Sequence, residues 1–190
     1  MKLTVDRITE IIYNKIRGQS SSRPFVIAAD GRAASGKTTF AGMFDFPIIH
    51  TDDFFRPKNQ NGVIEMSEHI GNFDIERFRS EVVNNLKNKN SFEYGVFDCA
   101  VGKITDKVTV TPEKCIIIEG AYCLCPLLTE YADLKLFFDI SKETQKNRII
   151  SRDGLEGYER FSKLWIPAEE RYFEHFAIQE LCDYVICTED

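Results

Sequence analysis

The chain has 190 residues, 24 Lys and Arg against 30 Asp and Glu, a formal charge of −6 and 43% hydrophobic residues. This is the mixture of an ordinary globular protein rather than a disordered one, and the length suits one domain with a proper core. The acidic balance excludes a protein that coats nucleic acid, and no apolar run approaches the roughly 18 residues needed to cross a bilayer, so neither nucleic acid nor membrane is expected as a partner.

Val5, Ile8, Ile11, Ile12 and Ile16 recur at helical spacing and Gly18 supplies a stop, which predicts an opening amphipathic helix. Residues 1–22 are read as that helix and a polar connector, and the polar residues on every turn argue against a signal peptide. Residues 24–29 are continuously apolar, as a strand buried on both faces should be. Residues 47–50, 115–118, 134–140 and 183–187 are further strands of this kind. Helical patterns at 37–44, 75–87, 142–152 and 167–181 separate most of them, and 92–97 with 107–110 reads as a small hairpin excursion. Such alternation predicts a single α/β domain over residues 1–190, with a mostly parallel five-stranded sheet and helices on both faces.

Six cysteines are too sparse and unpatterned for a disulfide scaffold. Cys115, Cys123 and Cys125 lie in or beside one apolar stretch, and Cys182 and Cys187 flank another. Reduced, mostly buried thiols in a cytoplasmic protein are expected. His50 is expected to pack at a strand end, and His69 and His175 lie in polar surroundings without the i+4 partner that zinc would want.

Gly31, Arg32, Ala33, Ala34, Ser35, Gly36, Lys37 and Thr38 fit G-x-x-x-x-G-K-[ST] at every fixed position, and Thr39 follows. Glycines let the backbone curl so that successive N–H groups face a phosphate. Lys37 is placed to reach β- and γ-phosphates, Thr38 to join a magnesium shell, and the next helix to aim its positive end at the same anion. Because the motif follows a buried strand and opens a helix, the segment is assigned to ATP, with Mg2+ as its companion, and the fold to the P-loop NTPase class.

Two acids stand at strand ends, where an open α/β sheet binds its ligands. Asp52 or Asp53 follows the second strand and would take a proton from an attacking hydroxyl or hold magnesium through water; the alternative is a helix cap. Glu119 ends the apolar run from Cys115 and is followed by Gly120, which suits a magnesium ligand. Asp74, before the helix at Ile75, reads from the residues alone as an N-cap.

Gly31 to Thr39, Thr51-Asp-Asp-Phe-Phe-Arg56, Asn72-Phe-Asp74 and Ile118-Glu-Gly120 occur in an order that resembles the uridine kinase-like branch of P-loop kinases, including nicotinamide riboside kinases, over nearly the whole chain. The resemblance implies a phosphotransferase with an alcohol acceptor. In it, Asp52 is the base and a metal-associated carboxylate, Asp74 binds the acceptor's sugar, and Glu119 associates with magnesium. Phe55, Phe97 and Asp98 fall on its acceptor side. Arg148 and Arg152, four apart on a helix, resemble the arginines that open the family's lid, here at about 148–165; the other reading is a solvated face paired with Glu143 or Asp153.

Departures follow. The lid continues as Gly154-Leu-Glu-Gly157-Tyr-Glu-Arg160, where two glycines suit a hinge and Arg160 is a candidate replacement guanidinium. After Phe97-Asp98 comes Cys99-Ala-Val-Gly-Lys103, without the histidine that reads a pyrimidine in uridine kinases. Trp165 and Phe173 are expected in the core. The expected function is an ATP- and Mg2+-dependent kinase of a nucleoside-like small molecule, with a nicotinamide riboside or other metabolite kinase, or a non-enzymatic nucleotide-binding regulator, as alternatives. Assembly into a homo-oligomer is left open.

Overall fold

The computed structural model describes residues 2–128 and 130–188. In chain order the elements are β1 (Lys2–Leu3), α1 (Val5–Arg17), β2 (Phe25–Gly31), α2 (Lys37–Ala41), β3 (Ile48–His50), α3 (Ile75–Glu81), β4 (Phe92–Asp98), β5 (Lys103–Val110), β6 (Cys115–Glu119), β7 (Leu134–Asp139), α4 (Lys142–Arg160), α5 (Ile166–His175) and β8 (Tyr184–Cys187). Strands pair in the order β1-β8-β7-β2-β6-β3, all parallel, while β4 and β5 form a separate antiparallel hairpin.

The five expected parallel strands are all present, and a sixth, the two-residue β1, joins at the edge beside β8. Two residues carry no readable alternation, which is why the sequence pattern passes over them. Burial on both sheet faces explains the unbroken apolar runs. Val26, Ala28, Ile116 and Ile118 face one core with Phe54, Phe73, Phe78 and Tyr172, while Ile27, Ala29, Cys115 and Ile117 face the other with Ile8, Ile12 and Phe40. The alternate residues of one strand thus feed two cores.

Three helices are shorter than their patterns. α2 stops at Ala41 because Gly42 closes it, its amide bonding Thr38 O at 3.0 Å. α3 stops at Glu81, where the β-branched pair Val82-Val83 begins and the Asn85 side chain takes Glu81 O at 2.9 Å; Val83–Asn85 continues as a 3-10 turn. α5 stops at His175, and Ala177 takes a left-handed φ of 49° before Ile178 re-enters the core.

α4 runs longer than expected. The segment assigned to a hinged loop is helical except at Gly154 (φ 74°, ψ 179°), and Phe161–Trp165 follows as a π-helical turn. Gly157 is buried inside the helical run, so only one of the two glycines breaks it. No helix among the described residues is long and apolar enough to cross a membrane.

Candidate active site

Parallel register brings the strand ends into line. Ala29 pairs with Glu119 and Glu119 with His50, so the carboxylate and imidazole lie across neighbouring strands beside the loop that leaves β2. Two glycines make this packing possible. A Cβ on Gly31 (φ +135°) would meet Phe138 O at 2.2 Å, and one on Gly120 (φ +123°) would meet Thr51 Oγ1 at 2.0 Å.

The loop from Arg32 to Gly36 leads into α2. Lys37 is buried and folds back over it, Nζ donating to Gly31 O and Arg32 O at 2.8 Å each. Ser35 is fully buried, and its Oγ has no hydrogen-bond partner among the described residues. Thr38 Oγ1 donates to Glu119 Oε1 at 3.0 Å, and His50 Nδ1 lies 2.6 Å from the same oxygen. That contact raises the His50 imidazole above its ordinary value, against the opposing effect of burial.

The structure separates the two aspartates. The Tyr94 hydroxyl donates to Asp53 Oδ2 at 3.1 Å, and the Arg77 guanidinium, stacked 4.4 Å over Phe54, donates to the Asp53 carbonyl and, at 2.7 Å, to Gly95 O. Asp53 is therefore tied to the hairpin. Asp52 opens onto the crevice but is hemmed in by surrounding protein. This desolvation and the Glu119 charge raise its carboxyl, while Lys37 and His50 pull it back. Neither caps a helix: His50 occupies the cap of the 3-10 turn Thr51–Phe54, without a side-chain bond.

Thr38, Asp52 and Glu119 are the oxygen donors gathered near Lys37. No three His, Cys, Asp or Glu side chains among the described residues form a cluster able to hold a metal. A magnesium site of this class needs only one or two carboxylates, with phosphate and water completing the shell, so this sparse donor set fits it. The unpartnered Ser35 hydroxyl inside the loop likewise fits a phosphate ligand.

The residues expected on the acceptor side divide. Phe55 stacks on Trp165 (centroids 5.7 Å, planes 15° apart) and meets Phe97 edge-on at 6.3 Å. Trp165 is thus half-buried against Phe55 rather than in the core, whereas Phe173 is buried, 5.7 Å beneath Arg32. Asp98 Oδ1 holds the hairpin turn, accepting from Ala100 N at 2.7 Å and Val101 N at 3.2 Å. Asp74 caps α3, Oδ1 accepting from Arg77 N at 3.1 Å.

The arginines also part company. Arg148 grips the phosphate loop from behind, donating to Ala34 O at 3.3 Å and to Thr188 O at 2.6 Å. Arg152 is exposed and turned to Asp153 at 2.8 Å, with Phe161 beneath it; Arg160 stands exposed at the end of α4.

Three contacts from α5 carried no signal of their own in the sequence. Glu169 Oε2 accepts from Ala33 N at 3.0 Å, Glu170 pairs with Arg32, and the Tyr172 hydroxyl donates to Asp30 Oδ2 at 2.8 Å. Asp30 also accepts from Gly31 N (2.7 Å) and Leu124 N (3.0 Å), yet its full burial still raises its carboxyl. An acid closing an apolar strand just before the loop was the available clue. His69 and His175 stack on each other, centroids 3.6 Å apart, a pairing that spans 106 positions' worth of chain and so escapes any local pattern.

No family model matches the chain. It is 28% identical over 151 residues to a uridine kinase of Limosilactobacillus reuteri, covering 73% of this chain and 69% of that protein. With uridine kinase-like protein 5 of Arabidopsis thaliana it shares 25% identity over 173 residues, 80% of this chain but only 37% of the plant protein. Among solved structures, a possible uridine kinase from Bacillus stearothermophilus superposes with a TM-score of 0.69 at 18% identity, covering 95% of this chain and 97% of that one. By sequence the chain is similar to uridine kinases and uridine kinase-like proteins, and its fold is the P-loop NTPase α/β fold.

Proposed function

We propose that the chain is an ATP- and magnesium-dependent kinase that transfers the γ-phosphate of ATP to a hydroxyl of a nucleoside-like small molecule. The observation that carries this reading is the convergence of Lys37, Thr38, Glu119 and Asp52 at one set of strand ends. Phosphoryl transfer spreads negative charge over the transferring oxygens, so catalysis is mainly positioning and charge neutralisation. Lys37 exchanges its two loop carbonyls for phosphate oxygens, and the loop amides hold the remaining charge. Thr38, Asp52 and Glu119 are the residues that would hold magnesium, which when bound offsets the charge of the β- and γ-phosphates. Asp52, exposed at the strand end and with its carboxyl raised by desolvation, accepts the proton of the acceptor hydroxyl.

Phe55, Phe97 and Trp165 offer the acceptor an aromatic wall. Asp74, whose Oδ2 faces Arg77 Nε only at 3.9 Å, is the carboxylate that would take a sugar hydroxyl. Arg152 and Arg160, both exposed, are the cations that would reach a closed state, while Arg148 holds the loop at Ala34.

The test is phosphate transfer from ATP to uridine, cytidine, nicotinamide riboside and other hydroxyl metabolites. Asp52→Asn is expected to retain ATP binding and lose transfer by about 10²–10⁴-fold, the usual weight of a general base. Equal transfer by the variant removes Asp52 as base. ATP binding without transfer to any acceptor favours a nucleotide-binding regulator instead.

A further inference from the structure

We infer that Glu169 is a positioning residue for the phosphate loop, holding the Ala33 amide from behind so that the rest of the loop is shaped for phosphate. The inference rests on the kinase reading only for its consequence in catalysis. Its geometry stands alone. Glu169 is buried on α5, and its carboxyl oxygen takes the Ala33 N–H at 3.0 Å. A partly buried amide without a partner is costly, so the Ala33 N–H needs an acceptor. A side chain from α5, 136 positions along the chain, supplies it.

The neighbouring contacts lock the same register. Gln145 Nε2 on α4 donates to Ala33 O at 3.1 Å, so both polar groups of the Ala33 backbone are held by side chains. One position before and one after Glu169's reach, Glu170 takes the Arg32 guanidinium and Arg148 takes Ala34 O. Four side chains from α4 and α5 therefore fix Arg32, Ala33 and Ala34, the variable part of the motif, and leave Ser35 to Thr38 to the ligand. Trp165 lies four residues before Glu169 and stacks on Phe55, so the same helical segment reaches both the phosphate loop and the acceptor wall.

The Ala33 contact needs a lone pair rather than a charge, because an amide oxygen accepts as well as a carboxylate. Glu169→Gln should therefore bind a non-hydrolysable ATP analogue with magnesium within about threefold of the parent, and Glu169→Ala about tenfold more weakly, the worth of one hydrogen bond to a charged or buried group. Where transfer is measurable, the alanine variant raises the KM for ATP and leaves kcat nearly unchanged. Parental affinity in the alanine variant, or equal losses in both variants, overturns the inference while leaving the kinase reading intact. Amide hydrogen exchange at Ala33 decides the matter without nucleotide: slow exchange in the parent and the glutamine variant supports the contact, and exchange in the parent as fast as in an open loop overturns it. A parent that binds no nucleotide defeats the kinase reading, and the exchange measurement still judges Glu169.

Discussion

At the phosphate end of the crevice one continuous segment, from Phe25 through Ala41, supplies the strand, the loop, the lysine and the threonine. At the acceptor end, Phe55, Phe97 and Trp165 come from the turn after β3, the hairpin and the helical run after α4. The first kind of site is specified by local backbone geometry and has a short fixed spacing. The second exists only once three separated segments have packed, and its members are free to change one at a time. Charge is handled differently too. Lys37 bonds two loop carbonyls and Thr38 bonds Glu119, whereas Phe55, Phe97 and Trp165 are aromatic, and Asp53, two residues before Phe55, is already tied to Tyr94.

The contrast is sharpened most by removing Lys37. Lys37→Ala is expected to reduce transfer by about 10²–10³-fold, the weight of one charge-stabilising donor in a dry site, with nucleotide affinity falling in a direct binding measurement. Activity within a few-fold of the parent would mean that the loop amides suffice, and the phosphate end would lose its special status.

A second prediction concerns pH. Burial pushes the Glu169 carboxyl up to about 7 from its ordinary 4.5, the Lys37 charge acting against it. Between those values the folded chain keeps a proton that the unfolded chain releases, so this group makes stability fall as pH rises through the window, by at most about 3 kcal/mol. Thermal unfolding of the parent compared with Glu169→Gln should show the difference between the two declining from pH 4.5 toward 7; subtraction cancels the raised aspartates common to both. A flat difference would place Glu169 in a wetter environment than the helix contacts imply.

The smallest effect belongs to the acceptor end. Trp165→Ala is expected to raise the acceptor KM by about tenfold, in the range of one aromatic contact, with the KM for ATP unchanged. If the ATP constant moves as much as the acceptor constant, the two ends are not independent and the helix that bears Trp165 and Glu169 is the route between them.

How far the sequence could be read follows the same division. Gly31 to Thr38 is legible because phosphate binding needs backbone N–H groups in a fixed curl, which forces glycines to fixed places. Asp52 and Glu119 are candidates because a strand end is a predictable location. Residue types alone left Asp52 and Asp53 as equals and the family resemblance chose Asp52; the contact of Asp53 with Tyr94, 41 positions away, is what distinguishes them in the fold. Asp74 shows the reverse: its capping bond to Arg77 is local and readable, and any second use of its carboxylate is not. Arg148 and Arg152 share a helix face and a spacing, yet one holds the loop at Ala34 and the other its own neighbour Asp153. Helical period gives the face but not the partner. Trp165 was expected in the core because a large apolar side chain usually is, and the π-helical turn that carries it to Phe55 has no sequence pattern.

The pairing of Ala29 with Glu119 and of Glu119 with His50 sets the molecule's tolerance to changes in chain length. Successive residues of a strand point to opposite faces, so one residue inserted within β6 upstream of Ile118 would exchange the two cores' side chains and reverse Glu119 at the same stroke. The hairpin β4–β5 stands outside the six-stranded sheet, so residues gained or lost at its tip leave every strand of that sheet in step. Changes in length at that tip therefore leave the register of Glu119 with Ala29 and His50 intact.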